Sequence, residues 1–283
     1  MKINIQDVNG ILTHPSPPAA PRKLSGREVA LRNELAVLSV IRDYGHLRTA
    51  EIASAVWPGA RYRDQLAQRT LRRLLAQGEV LQRVNTLATR SWVLASAGVA
   101  RLELFGADAR HGRDIVGVAG ATFIHRTLAS AYLIHRAGMA AQTTYGEYAI
   151  AHGRAPMSRQ GLSERFGKLP DGLVVRGTVV DWVEVVASAK PLDELKNVLR
   201  AAEWVGQPLV PGGPLTIGGL TIVFDRRQDH ARRILRAARE RWGHFSRQDQ
   251  EKLCSRVTLA FDSVSGPLRI EEFAELRCSG CRR

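Results

Sequence analysis

Within residues 169–190, LPDGLVVRGTVVDWVEVVASAK, two carboxylates and a lysine follow one another as Asp171, Glu184 and Lys190. Hard carboxylate oxygens can hold Mg²⁺ against a phosphate, and a lysine beside them can orient or activate the attacking water. The chemistry to weigh is therefore metal-dependent cleavage of a phosphodiester, with Asp171 and Glu184 as metal ligands and Lys190 as the cation. The spacing works against it. Two residues after Glu184, on the same strand face, stands Val186, which neither donates nor carries charge. Lys190 shares the parity of Glu184, but six residues of straight strand put it roughly 20 Å away. It returns only if the chain bends near Ser188 or Ala189. Pro-Asp-Gly is also a favoured turn sequence, which gives Asp171 a purely conformational use. Glu184, inside WVEVV, needs a partner, because an unpaired acid on so apolar a strand is costly to bury. Lys190 or an arginine would serve as well as a metal. Structural use of the two acids is therefore expected over an intact metal site.

Strands must carry these residues, and the surrounding chain supplies them. GLVVRG and VVDWVEVVASA read as paired strands, apolar enough for the middle of a sheet. TFIHRTLASAYLIHRAG precedes them as a helix, with Phe123, Leu128, Ala131 and Ile134 or His135 near its buried side. Residues 141–167 are ambiguous, with room for a strand and a loop. Pro191 opens a helix over PLDELKNVLRAAEWVG. LTIVFD then reads as a strand, RRQDHARRILRAARERWG as a helix and SRVTLAFDSV as a last strand. That order describes a mixed sheet with helices on its faces.

Upstream, the pattern is helical. LRNELAVLSVIRDYG places Leu31, Leu35, Leu38 and Ile41 at helical spacing and stops at Gly45. LRTAEIASAVWPG offers Thr49 as N-cap and Pro58-Gly59 as the break. A third helix runs from about Tyr62 to Gln77, followed by the short strands EVLQRV and RSWVLA around a polar turn. Three helices and a two-stranded wing make a winged helix-turn-helix. At 100° per residue, Arg61, Gln65, Gln68, Arg69 and Arg72 of the third helix fall on one face, while Leu66, Leu71, Leu74 and Leu75 turn to the core. Arg and Gln are the side chains best shaped for guanine and adenine edges in the major groove. Arg83 and Arg90 flank the wing, where they could meet phosphates.

Composition points to the same class of partner. The 283 residues are enough for two modest domains, and 41 Lys+Arg against 27 Asp+Glu give a net charge of +14 and a pI near 10.6. Such an excess favours nucleic acid over a membrane surface, since no basic helix with a bulky apolar face stands out. No apolar run approaches the roughly 20 residues of a membrane helix, and MKINIQDVNG lacks a signal-peptide layout. Three cysteines imply no disulfide framework. A cytoplasmic protein is expected.

The helix–strand order after residue 107, with Pro170-Asp171 and Glu184 in place, is similar to the core of the PD-(D/E)XK nuclease-like fold. A winged helix followed by PDG and then WVEV also resembles the replication-relaxation family of plasmid and conjugative-element proteins, over about residues 30–240. In that nuclease motif the lysine sits two residues after the second carboxylate, the place held here by Val186. The resemblance implies a DNA-binding accessory role in plasmid replication or mobilisation, with a nuclease core that need not cut.

The expected fold is α/β (α+β): an N-terminal winged helix-turn-helix followed by a mixed-sheet PD-(D/E)XK nuclease-like domain. The boundaries are an arm over 1–26, a DNA-binding domain over 27–106, a nuclease-like domain over 107–266 and a tail over 267–283. The leading function is sequence-specific DNA binding in a mobile element without cleavage. A metal-dependent endonuclease and a transcriptional regulator or antitoxin are the alternatives. Partners are double-stranded DNA and a relaxase or other mobile-element protein, with a homodimer left open. No cofactor is expected, Mg²⁺ entering only with the nuclease reading.

Other motifs carry less. CSGC, with Cys278 and Cys281, has zinc spacing at one half only, and Cys254, His230 and His244 are scattered. His125 and His135 read as core or boundary residues. GGPLTIGG reads as a hairpin turn. Arg232, Arg233, Arg236 and Arg239 cluster on one helix face, which suits a second phosphate surface and a solvated, acid-paired face equally well.

Overall fold

The computed structural model describes residues 25–85, 87–139, 141–225, 230–262 and 271–273. Helix α1 (Gly26–Tyr44) starts with a capping box: the Ser25 hydroxyl accepts from the Glu28 amide, and the Glu28 carboxylate accepts from the Ser25 amide. It stops at Gly45, whose φ of 81° suits a residue without Cβ. Its buried face is Glu34, Val37, Leu38, Ile41 and Tyr44; Leu38 and Ile41 are inside as expected, whereas Leu31 is exposed and Leu35 half-buried. Helix α2 (Thr49–Val56) is capped by Arg48, not by Thr49. The Glu51 carboxylate accepts from the Arg48 amide at 2.7 Å, and the Thr49 hydroxyl accepts instead from the Trp92 indole at 2.9 Å. Helix α3 (Arg63–Ala76) leads into the antiparallel pair β1 (Val80–Val84) and β2 (Arg90–Leu94). Leu47 bridges to Trp92 and so ties the α1–α2 turn to the hairpin. On α3 the buried residues are Ala67, Thr70, Leu71 and Leu74; Leu75, expected inside, is 40% exposed.

After α4 (Ser96–Leu104) and α5 (Gly120–Ala137), the chain builds a six-stranded mixed sheet. Its strands lie in sequence order: β3 (Gln142–Gly146), β4 (Gly172–Arg176), β5 (Val179–Val186), β6 (Thr216–Asp225), β7 (Val257–Asp262) and β8 (Glu271–Phe273). The first three are antiparallel, β5, β6 and β7 run parallel, and β8 closes antiparallel. The ambiguous residues 141–167 contribute β3 and two helices, α6 (Glu147–Ala151) and α7 (Arg159–Phe166). The parallel strands are linked by α8 (Leu192–Leu199), which tightens into a 3₁₀ turn (Arg200–Trp204), and by α9 (His230–Trp242) with α10 (Arg247–Cys254).

GGPLTIGG is half turn and half strand. Gly212 and Gly213 lie in the turn that brings Leu209 back against Leu215, whose carbonyl accepts from the Leu209 amide at 2.7 Å, with Pro208 bridging to Thr216. From Thr216 onward the chain is β6, pairing with β5. The register shifts between Val180 and Asp181, and a Cβ on Gly218 would lie 2.2 Å from Val179 Cγ1. The glycine serves a bulge between strands.

Alternation along β5 decides which layer each residue meets. Val180, Trp182 and Val186 pack in one apolar cluster with α7 to α10. Val183, Val185 and Ala187 pack in another with α5. Helix α5 has buried residues on nearly every side, including Phe123, Leu128, Tyr132, Leu133 and Ile134. It lies between the sheet and the N-terminal helices, and one apolar cluster runs from Leu38, Ile41 and Leu71 through Leu128 and Leu133 to Val183 and Val223. The division at 106/107 falls just after α4, and this cluster continues across it.

Candidate functional site

Asp171 immediately precedes β4, where the main-chain ladder with β5 runs out. Its amide donates to the Val183 carbonyl at 3.0 Å, and its Oδ2 accepts from the Val185 amide at 2.7 Å. A side-chain oxygen thus takes the place of the next backbone carbonyl and prolongs the ladder by one bond. The same Oδ2 lies 3.1 Å from His125 Nε2 on α5. His125, expected as a plain boundary residue, belongs to this corner. Burial works to lower its pKa, but the hydrogen bond and charge of Asp171 outweigh burial and raise it. Asp171 moves the other way: burial works to raise it, and the His125 bond and charge, the Val185 amide and the Lys190 charge together hold it below the usual carboxylate range.

Glu184 stands opposite Asp171 by extension of the β4–β5 register, in which Gly172 pairs with Val183. It is 3% exposed. Its Oε2 lies 2.8 Å from Lys168 Nζ, and its Oε1 accepts from the Trp182 indole at 2.7 Å. The basic partner is therefore Lys168 and not Lys190, as the strand spacing had left open. Burial, and then the negative charge of Asp171, push the Glu184 pKa up to about 7, against the pull of Lys168 and the Trp182 indole. The chain does bend at Ser188, and Lys190 comes near enough for its charge to act on Asp171 and His125. Its carbonyl is held by the Arg233 guanidinium. The signal for Lys168 was present in the sequence, in KLPD, but only the return of β5 beside β4 sets it against Glu184.

A divalent metal would need free oxygens from this pair of carboxylates. Both Glu184 oxygens and Asp171 Oδ2 already have partners, leaving Asp171 Oδ1. Among the described residues, no three His, Cys, Asp or Glu side chains converge as a metal site would require. Asp171 and Glu184 are brought together, but they do not fit Mg²⁺ as they stand. What the arrangement does is set His125 and Lys168 against two neighbouring carboxylates, Asp171 half-buried and Glu184 buried.

The surface of α3 is different. Arg61, Gln65, Gln68, Arg69 and Arg72 are all exposed, but Arg61, expected on the helix, lies in the turn before it. The Arg61 guanidinium lies 5.3 Å above the Tyr62 ring, and Arg72 Nε reaches the Gln68 carbonyl at 3.4 Å. No carboxylate pairs with any of these three arginines among the described residues. Arg73, on the adjacent face, does pair with Glu34, which Arg101 also holds together with Glu79. On the hairpin, Arg90 is exposed and Arg83 half-buried, and they flank its turn in adjoining rungs opposite Val84 and Ser91.

On α9 the cations are largely matched inside the chain. Arg241 pairs with Glu203 at 2.6 Å, Arg236 and Lys196 share Glu240, and Arg233 holds the Lys190 carbonyl. Arg226, Arg227, Cys278 and Cys281 lie outside the described residues. Cys254 is buried at the end of α10, His230 is buried at the start of α9, and His244 is exposed beside Phe245. His135 is exposed on α5. Among the described residues no helix is long and apolar enough to cross a membrane. No family model, curated protein or solved structure matches this chain.

Proposed function

We propose that the chain is a sequence-specific DNA-binding accessory protein of a mobile element, acting in the cytoplasm in plasmid replication or conjugative mobilisation. The three helices and hairpin act as a winged helix-turn-helix. The observation that carries this reading is the exposed face of α3 with Gln65, Gln68, Arg69 and Arg72, preceded by the exposed Arg61 in the turn before it, where no carboxylate among the described residues pairs with the arginines. Gln65 and Arg69 reach base edges, and Arg83 and Arg90 hold phosphates beside them. The sheet domain, a nuclease-like core in this reading, does not cut: its two carboxylates are spent on Lys168, Trp182, His125 and the β5 backbone. It offers a surface to a partner such as a relaxase.

The test is fluorescence anisotropy at fixed salt, with a site selected from a random duplex library. Gln65→Ala and Arg69→Ala should each weaken binding by about 1–3 kcal/mol and relax preference at one position. Unchanged affinity and preference in a folded double variant would remove the recognition-helix assignment. The non-cleaving half has its own control. Plasmid nicking by the unmodified protein with Mg²⁺ or Mn²⁺, abolished in Asp171→Ala, would turn the reading into an endonuclease.

A further inference from the structure

A narrow cleft lies where the end of α1, helix α5 and the β3–α6 corner meet, lined by Tyr44, Arg113, His125, Arg126, Ser130 and Glu147. Arg113, from the segment before α5, and Arg126, on α5, approach it from different elements. Both are aimed at one acid: Arg113 Nη1 is 3.0 Å and Arg126 Nε 3.8 Å from Glu147 Oε2. The two guanidiniums are mostly buried, while Glu147 is half exposed. Asp171, the other carboxylate lining the cleft, is already matched to His125. About one positive charge is thus left over in a place with little water to screen it.

Its neighbours register that charge. Burial and the Arg113 charge push the Arg126 pKa below its ordinary value. His46, 3% exposed with neither ring nitrogen hydrogen-bonded among the described residues, is driven down to about 3 by burial and by Arg113 and Arg126. Arg113 is held in place by the Tyr148 ring, 5.1 Å from its guanidinium. Ser130, 8% exposed, lines the same cleft and can bring a hydroxyl donor to it.

We propose that this cleft is a phosphoryl-binding site, with an oxyanion seated between Arg113 and Arg126 and accepting a hydrogen bond from the Ser130 hydroxyl. Guanidinium forks match two oxygens of a phosphoryl group, and its charge answers the cation that Glu147 leaves unmatched. Two sources share this chemistry: a phosphate of bound DNA, or free phosphate. The first rests on the DNA-binding reading above, and the second does not.

The experiment uses the full chain and two readouts. Thermal unfolding is followed in sodium phosphate against sodium chloride at equal ionic strength, for the unmodified protein and for Arg126→Gln, Ser130→Ala and Glu147→Gln. DNA affinity is measured against salt for the same proteins. A free-phosphate site predicts a higher Tm in phosphate, an increment largely lost in Arg126→Gln, reduced in Ser130→Ala and enlarged in Glu147→Gln, where the competing anion is gone. That opposite sign separates binding from a merely structural role. A DNA-phosphate site predicts no effect of free phosphate, but a log K against log salt slope shallower by about 0.9 in Arg126→Gln. Should Arg126→Gln fail to fold, Ser130→Ala and Glu147→Gln, with their opposite signs, decide the same question. No phosphate increment and no change of slope in any folded variant overturns the site. If the unmodified protein binds no DNA, the DNA-binding reading falls and the phosphate increment alone decides.

Discussion

Arg61, just before α3, and Arg69 and Arg72 on it stand in solvent with no carboxylate among the described residues, whereas Asp171 and Glu184 are each held by partners inside the protein. Both regions are built from groups that nucleic-acid chemistry uses. A cation left unmatched at the surface keeps its capacity for an outside anion, and in water it costs the fold little. A carboxylate taken into the interior needs its partner, and once paired it has less left to offer a metal or a substrate. The first arrangement suits recognition and the second suits stability. Helix α9 belongs with the second: its arginines look like a phosphate stripe in the sequence, yet Glu203 and Glu240 neutralise part of it.

The buried acid depends most on Lys168. Lys168→Met leaves Glu184 buried without its cation and should destabilise the protein by about 3–5 kcal/mol at pH 8, as loss of one partner of a buried pair does. At pH 5, where Glu184 takes up a proton, the loss should be much smaller, and Lys168→Met with Glu184→Gln should recover most of it. Chemical denaturation at the two pH values measures this. An equal loss at both would mean that Lys168 serves packing alone.

The unmodified protein should itself respond to pH. Glu184 has a folded pKa of about 7 against an ordinary 4.5. A raised pKa means that the folded state holds the proton more tightly. Its contribution to stability is therefore fully present below pH 4.5 and is lost as pH rises through about 7. The loss is on the order of 3 kcal/mol, and it should be absent in Glu184→Gln. Urea midpoints from pH 4.5 to 8 for both proteins give the comparison.

On the exposed side, Arg83→Ala and Arg90→Ala should each weaken DNA binding about uniformly across sequences and reduce the salt slope by about 0.9, with stability within about 0.5 kcal/mol of the unmodified protein. A change of base preference in either would move it from phosphate contact to base reading. The smallest effect belongs to α9. Arg236→Gln should leave the salt slope unchanged, because Glu240 already occupies that guanidinium. A slope shallower by about 0.9 would make α9 a second DNA surface.

Local pattern made much of this legible. The helices α1 to α3, the β1–β2 hairpin, the paired strands around Arg176–Val179 and the exposed Arg/Gln face follow from periodicity and from breakers such as Gly45 and Pro58-Gly59. Residues 141–167 did not, since β3, α6 and α7 are five to eight residues long and carry too few periods to stand out. GGPLTIGG is a turn only in its first half; Gly218, in the second, serves a bulge against β5, a contact between segments far apart in sequence. Thr49 lost its expected cap role to Trp92, 43 positions away.

The amino-acid sequence by itself determined the carriers: which segments become helices and strands, which face of α3 is polar, and that an acid at 184 on an apolar strand must have company. Only the tertiary structure decided what that company is. Lys168 and Trp182 meet Glu184, and His125 meets Asp171, because β4 folds back on β5 and α5 crosses the sheet. Partner choice in a buried site depends on distances of about 3 Å between residues far apart along the chain. Burial sets what each partnership is worth, and neither quantity is written in spacing.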